Sequence, residues 1–120
     1  MQFALLIYQG TTPVPTDAEA WAILPEDEQK RIYADYAQIG KTPGVQPGLP
    51  LGLPDKARTI RVEDGEPVTT TGPYLGKDGA VGGYFVYEAD DLEAAIALAA
   101  RIPAARHGGA VEVRPIETYW

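Results

Sequence analysis

A single histidine, His107, occurs among the 120 residues. No other type of side chain present has an ordinary pKa so close to neutrality, which makes His107 the first candidate for general acid or base chemistry. Its place between a helix end and the pair Gly108 and Gly109 also suits a structural role, bonding the last helical carbonyls. Glu112 and Arg114 follow two residues apart in an extended segment and so share one strand face, with Val111 and Val113 on the other. Glu112 or Asp78 could orient the imidazole and Arg114 could hold an anionic group; the alternative is an exposed ion pair on an edge strand. Residues 72–83 are glycine-rich, so Gly72 with Pro73 could open a lid or an anion-binding loop, although the spacing matches neither a P-loop nor a dinucleotide fingerprint and a structural turn is the simpler reading. Tyr8, Tyr84 and Tyr87 could line an aromatic pocket or pack a core. Arg101 and Arg106 suit the negative end of a helix dipole and could also hold a carboxylate.

Other chemistries lose their usual residues. There is no cysteine, which removes thiolate nucleophiles, disulfides and cysteine-based metal sites. With one histidine and oxygen donors in no EF-hand spacing, no metal and no cofactor is expected. No serine occurs, so a Gly-x-Ser-x-Gly elbow is excluded. Ten basic residues against 17 acidic ones leave a net charge of −7, a field that repels phosphate backbones and anionic lipid, so nucleic acid and membrane are not expected partners. A small anionic or polar ligand fits the candidate residues better. The opening apolar run is too short to span a bilayer and lacks a basic leader, and the absence of cysteine suits the cytoplasm.

The candidates need a scaffold. The length and a hydrophobic content of 45% suit a single domain over residues 1–120. Residues 3–8 read as a buried strand ended by Gly10 and Pro13. Thr16 and Glu19 have capping-box spacing for a short helix. Pro25 and the acidic run after it start a main helix, with Ile32, Tyr36 and Ile39 on the apolar side and Lys30, Arg31, Asp35 and Gln38 toward water. Residues 44–54 alternate Gly, Pro and Leu and predict a packed loop, neither helix nor central strand. A hairpin is expected around residues 63–65, a central strand over residues 82–87, and a helix capped by Asp90 with Leu92, Ile96 and Ala99 as its stripe. A last strand spans residues 111–116.

This order predicts an antiparallel sheet with helices on one face. Yet Phe3, Leu5 and Ile7 alternate with Ala4, Leu6 and Tyr8, so both faces of the first strand are apolar. A second copy packed sheet to sheet would cover the other face and make a homodimer; folding of the Gly/Pro/Leu loop over it is the alternative.

Three blocks then carry a family resemblance: Gly72-Pro73-Tyr74, Gly82-Gly83-Tyr84, and the run from Pro103 through His107, Gly108 and Gly109 to Ile116. Together they resemble the YCII-related proteins of the DGPF branch over nearly the whole chain. The resemblance implies a ferredoxin-like α+β fold in dimeric α/β barrels, a bacterial source, mostly unassigned functions, and a histidine with an acidic residue in a cleft. The chain departs from the branch's Asp-Gly-Pro-Phe signature with Thr71, Tyr74 and Gly76, so chemistry needing those carboxylates is not implied. Three functions stay open: a small-molecule enzyme with a dimer-interface cleft using His107, a non-catalytic ligand-binding or regulatory module, and a protein-interaction subunit using a sheet edge.

Overall fold

The strand on which the others are built is β1, Gln2–Tyr8. Its alternation puts Phe3, Leu5 and Ile7 on one face, all buried, while Ala4, Leu6 and Tyr8 face the other way and are half-buried. The computed structural model, which describes residues 1–119, gives a mixed α+β arrangement of antiparallel sheets and three helices, compatible with a ferredoxin-like domain.

Strand β2 is Leu49–Pro50, and the hairpin strands are β3, Arg58–Glu63, and β4, Glu66–Thr71. Next come β5, Val81–Glu88, and β6, Ala110–Pro115. The main sheet has the order β2-β5-β1-β6. Leu5 lies opposite Phe85 on one side and Val113 on the other, so one inward row runs across three strands. Residues 44–54 are mostly loop, as their composition predicts, but Leu49–Pro50 also pairs with β5 as an edge strand. An edge tolerates Pro50, because the missing N–H there costs no ladder bond.

Helix α1, Ala18–Ile23, is capped by Asp17, whose carboxylate accepts from the Ala20 N–H at 3.3 Å, so Asp17 takes the place expected for Thr16. Helix α2, Glu26–Gly40, buries Ile32 and Ile39 and half-buries Tyr36. Helix α3, Leu92–Ala99, is capped by Asp91 rather than Asp90, through the Ala94 N–H at 2.8 Å. Its stripe differs from the expected one: Ala95, Leu98 and Ala99 are buried, while Leu92 and Ile96 are exposed. The two alanines let the helix backbone lie close to the sheet, and Ile102 beyond the helix completes the core with Phe3, Leu5 and Phe85.

The hairpin forms around Asp64 and Gly65, both at positive φ, the conformation of a tight two-residue β-turn. It stands apart from the main sheet as a two-stranded sheet of its own. Neither of its faces is continuously apolar, since Ile60 and Val62 face Thr69 and Pro67 across the pair, and nearly all its residues are exposed. The radius of gyration, 16.0 Å, exceeds the roughly 13–14 Å expected for a compact chain of this length.

One close approach ties the C-terminal strand to the first. A Cβ added to Gly109 would collide with the Tyr8 and Gln9 carbonyls, and Gly108 has φ +94° against Thr11. Gly109→Ala is therefore expected to destabilise the fold by about 1–3 kcal/mol through overpacking, read as a lowered urea midpoint. Gly40→Ala, where a Cβ meets nothing, is the control and should not destabilise.

Candidate functional site

The turn held by this crossing carries His107. After α3, Pro103–Ala105 makes a 3-10 turn, and the Gly109 N–H returns to the Ala104 carbonyl at 2.9 Å. The buried Thr12 donates its hydroxyl to the His107 carbonyl at 3.1 Å, and the Thr11 N–H donates to Gly108 at 3.3 Å. His107 is thus fixed through its backbone by the chain leaving β1, with its side chain toward α2.

Its neighbour there is Glu28. His107 Nε2 lies 2.9 Å from Glu28 Oε1, with the two side chains 20% and 28% exposed. One residue earlier, Arg106 Nη2 lies 2.7 Å from Asp35 Oδ2 and 3.9 Å from the same Glu28 oxygen. Glu28 and Asp35 are seven residues apart, two helical turns, so they rise along one flank of α2. Two carboxylates and one guanidinium surround the imidazole: the four groups sum to −1 with a neutral ring and to zero with a protonated one. Arg31 and Arg101 border the outer side in a polar cleft of about 250 Å³ that Arg106 and Asp35 share.

Across α2, the half-buried Tyr36 meets the Gln9 carboxamide. Burial raises the Tyr36 phenol above its ordinary pKa, opposed by the hydrogen bond from Gln9 and by the positive charge of Arg106. Gln9, Tyr36, Arg106, Asp35, Glu28 and His107 therefore form one polar group between the end of β1, α2 and the approach to β6, in which Arg106 acts on Tyr36 through its field. Within it, Gln9 Oε1, Asp35 Oδ2 and His107 Nε2 are buried and lack a hydrogen-bonded partner of good alignment among the described residues. Asp35 Oδ2 and His107 Nε2 do have ion-pair partners at 2.7 and 2.9 Å, so Gln9 Oε1 is the one of the three with neither a hydrogen bond nor an ion pair.

The other candidates lie elsewhere. Glu112 and Arg114 sit on the edge strand β6, 3.8 Å apart and more than half exposed, as a surface pair. Asp78 is exposed in the 3-10 turn Lys77–Gly79. The carboxylate beside His107 is therefore Glu28, neither Glu112 nor Asp78, because strand parity directs Glu112 away from the helix-bearing face. Gly72, at φ +101°, and Pro73 make a turn after β4, and the Gly72 N–H bonds back to Ala57 at 2.9 Å. Tyr84 borders a large cavity, while Tyr8 and Tyr87 do not. Asp35 was expected to face water and instead pairs with Arg106. The sequence does carry one signal for Glu28: it stands four residues before the buried Ile32, in line with the apolar stripe.

Among the described residues, no three or more His, Asp or Glu side chains gather as a metal site, and no helix is long and apolar enough to cross a membrane.

A small α+β domain with a half-buried histidine–carboxylate pair beside a guanidinium cleft is the class of protein these features define. The chain belongs to the YCII-related domain family, whose pattern matches residues 1–119. No curated protein matches it.

The Tyr36 phenol has a consequence for alkaline stability. Below about pH 10 it is neutral in folded and unfolded chains alike. As pH rises from there, the unfolded chain loses this proton first, so stability falls until the folded-state pKa is passed. Urea midpoints measured between pH 8 and 11 should fall less steeply for Tyr36→Phe than for the wild type.

Proposed function

We propose that this protein is a small-molecule enzyme in which His107 is the general acid or base and Glu28 its orienting carboxylate. The observation that carries this reading is the 2.9 Å contact of the lone imidazole with Glu28, beside the Arg106–Asp35 pair. Nε2 is the nitrogen turned to Glu28, so Nδ1 is the one left to exchange a proton with substrate, the division of labour that a carboxylate-oriented imidazole requires. Taking up that proton balances the local charge. Arg31 and Arg101 on the neighbouring cleft favour a substrate with an anionic group, a role they fit better than the distant Arg114. A non-catalytic ligand-binding module is the second reading, favoured by a large, mainly apolar cavity that also borders α2.

Screening small organic anions for turnover by NMR tests the first reading. For a compound that is turned over, His107→Ala should lower kcat by about 100-fold or more, the usual contribution of a positioned acid or base. Adding Glu28→Gln to His107→Ala should then cost little more, since the two act as a unit. Turnover unaffected by His107→Ala would sink the acid–base role, and binding without turnover would favour the second reading.

The working assembly in this proposal is a homodimer through the outer face of the main sheet. Leu6 pairs with Tyr84 and Ala4 with Val86 across β1 and β5, giving a contiguous apolar row. The Gly/Pro/Leu loop lines a cavity with Ile7, Ile32, Phe85 and, at its edge, Tyr84, and the rest of the row is what a second copy would cover. Sedimentation should give twice the 12.9 kDa chain mass for the wild type and a monomer for Leu6→Arg; a monomeric wild type would end the proposal.

A further inference from the structure

A large cavity of about 890 Å³ borders α2. Ile7, Ile32, Tyr36 and Phe85 form its inner wall, and two proline-rich loops, residues 12–17 and 48–55, form its sides. This volume is that of a pocket for a small organic molecule. Two glycines hold the wall in shape: a Cβ on Gly48 would strike the Phe85 ring, and one on Gly82 would strike the Gln9 side chain.

The polar inventory of the wall is short. Thr12 spends its hydroxyl on the His107 carbonyl, and Tyr36 is occupied with the Gln9 carboxamide. The other lining hydroxyls belong to Thr16 and Tyr33, which are exposed, and to the half-buried Tyr84; the buried polar atom of the wall without a donor is Gln9 Oε1. A buried amide oxygen left bare costs more than a satisfied one contributes, so this atom discriminates strongly between ligands that bring a donor and ligands that do not. The charged lining residues, Asp17, Asp55 and Lys77, are all exposed, so no buried counter-ion awaits an ionised group. A peptide segment would bring a donor and an acceptor with nearly every residue, and the wall does not match that demand.

We propose that this cavity binds a neutral, mainly apolar small molecule whose one hydrogen-bond donor, a hydroxyl or an amide N–H, is taken by Gln9 Oε1. The assignment does not rest on His107 being an acid or base. The two sites share α2, and the field of Arg106 reaches Tyr36, but their ligands differ in charge and in the groups that hold them.

The probes are 4-butylphenol and 4-butylanisole, alike in shape but differing in the donor, titrated into the full-length protein and followed by NMR. The phenol should bind about five- to tenfold more tightly than the anisole. Gln9→Met, which keeps the volume and removes the acceptor, should bring that ratio close to one, and Val14→Trp, which fills the cavity, should abolish binding of both. If Gln9→Met does not fold, Gly82→Ala, which pushes the Gln9 side chain aside, should reduce the ratio instead. His107→Ala should leave the ratio unchanged, which separates this proposal from the acid–base reading. Equal affinities in the wild type, no binding of either probe, a ratio that survives Gln9→Met, or tighter binding of 4-butylbenzoate than of the phenol would each overturn it.

Discussion

The approach of Gly108 and Gly109 to the end of β1 is the constraint on which the rest of the arrangement depends. The chain there passes so near the Tyr8 and Gln9 carbonyls that a single added methyl group would have no room. Three consequences follow from one contact. β6 is brought into register beside β1, the His107 backbone is tied to Thr12, and the imidazole is delivered to the flank of α2. A looser turn would leave the same residues in the sequence and separate Nε2 from Glu28.

Arg106 is the second organising element. It pairs with Asp35 at 2.7 Å, lies 3.9 Å from Glu28, and adds its field to the Tyr36 phenol. Charges that are two-thirds or more buried repay their desolvation only when partners are close and well aligned. Here the partners are close, while Asp35 Oδ2 and His107 Nε2 still lack aligned hydrogen bonds.

Helix α2 serves both regions. Glu28 and Asp35 meet His107 and Arg106, while Ile32 and Tyr36 line the cavity. The 3.6-residue period sets positions 28, 32, 35 and 36 along one side of the helix, so its inward face carries both the charged pairs and part of the apolar wall.

Much of this was legible in the residues themselves. The alternating runs in β1 and β5, the acidic start of α2, the Asp-Gly turn of the hairpin and the proline-interrupted segment before it are local signals. Local sterics and periodicity suffice to read them, and the blocks around Gly72, Gly82 and His107 pointed to the family. Other features depended on distance in space. Glu28 and Asp35 looked like dipole-complementing and solvated charges, because their partners lie more than 70 residues later in the chain. The α3 stripe rotated because packing against the sheet rewarded two small alanines over Leu92 and Ile96. The hairpin left the main sheet because neither of its faces was apolar enough to be drawn in. The sequence by itself determined the elements, the lone imidazole and the apolar character of both β1 faces, all consequences of local chemistry; only the tertiary structure decided which carboxylate meets that imidazole, since burial and a close backbone crossing, not spacing along the chain, bring the two together.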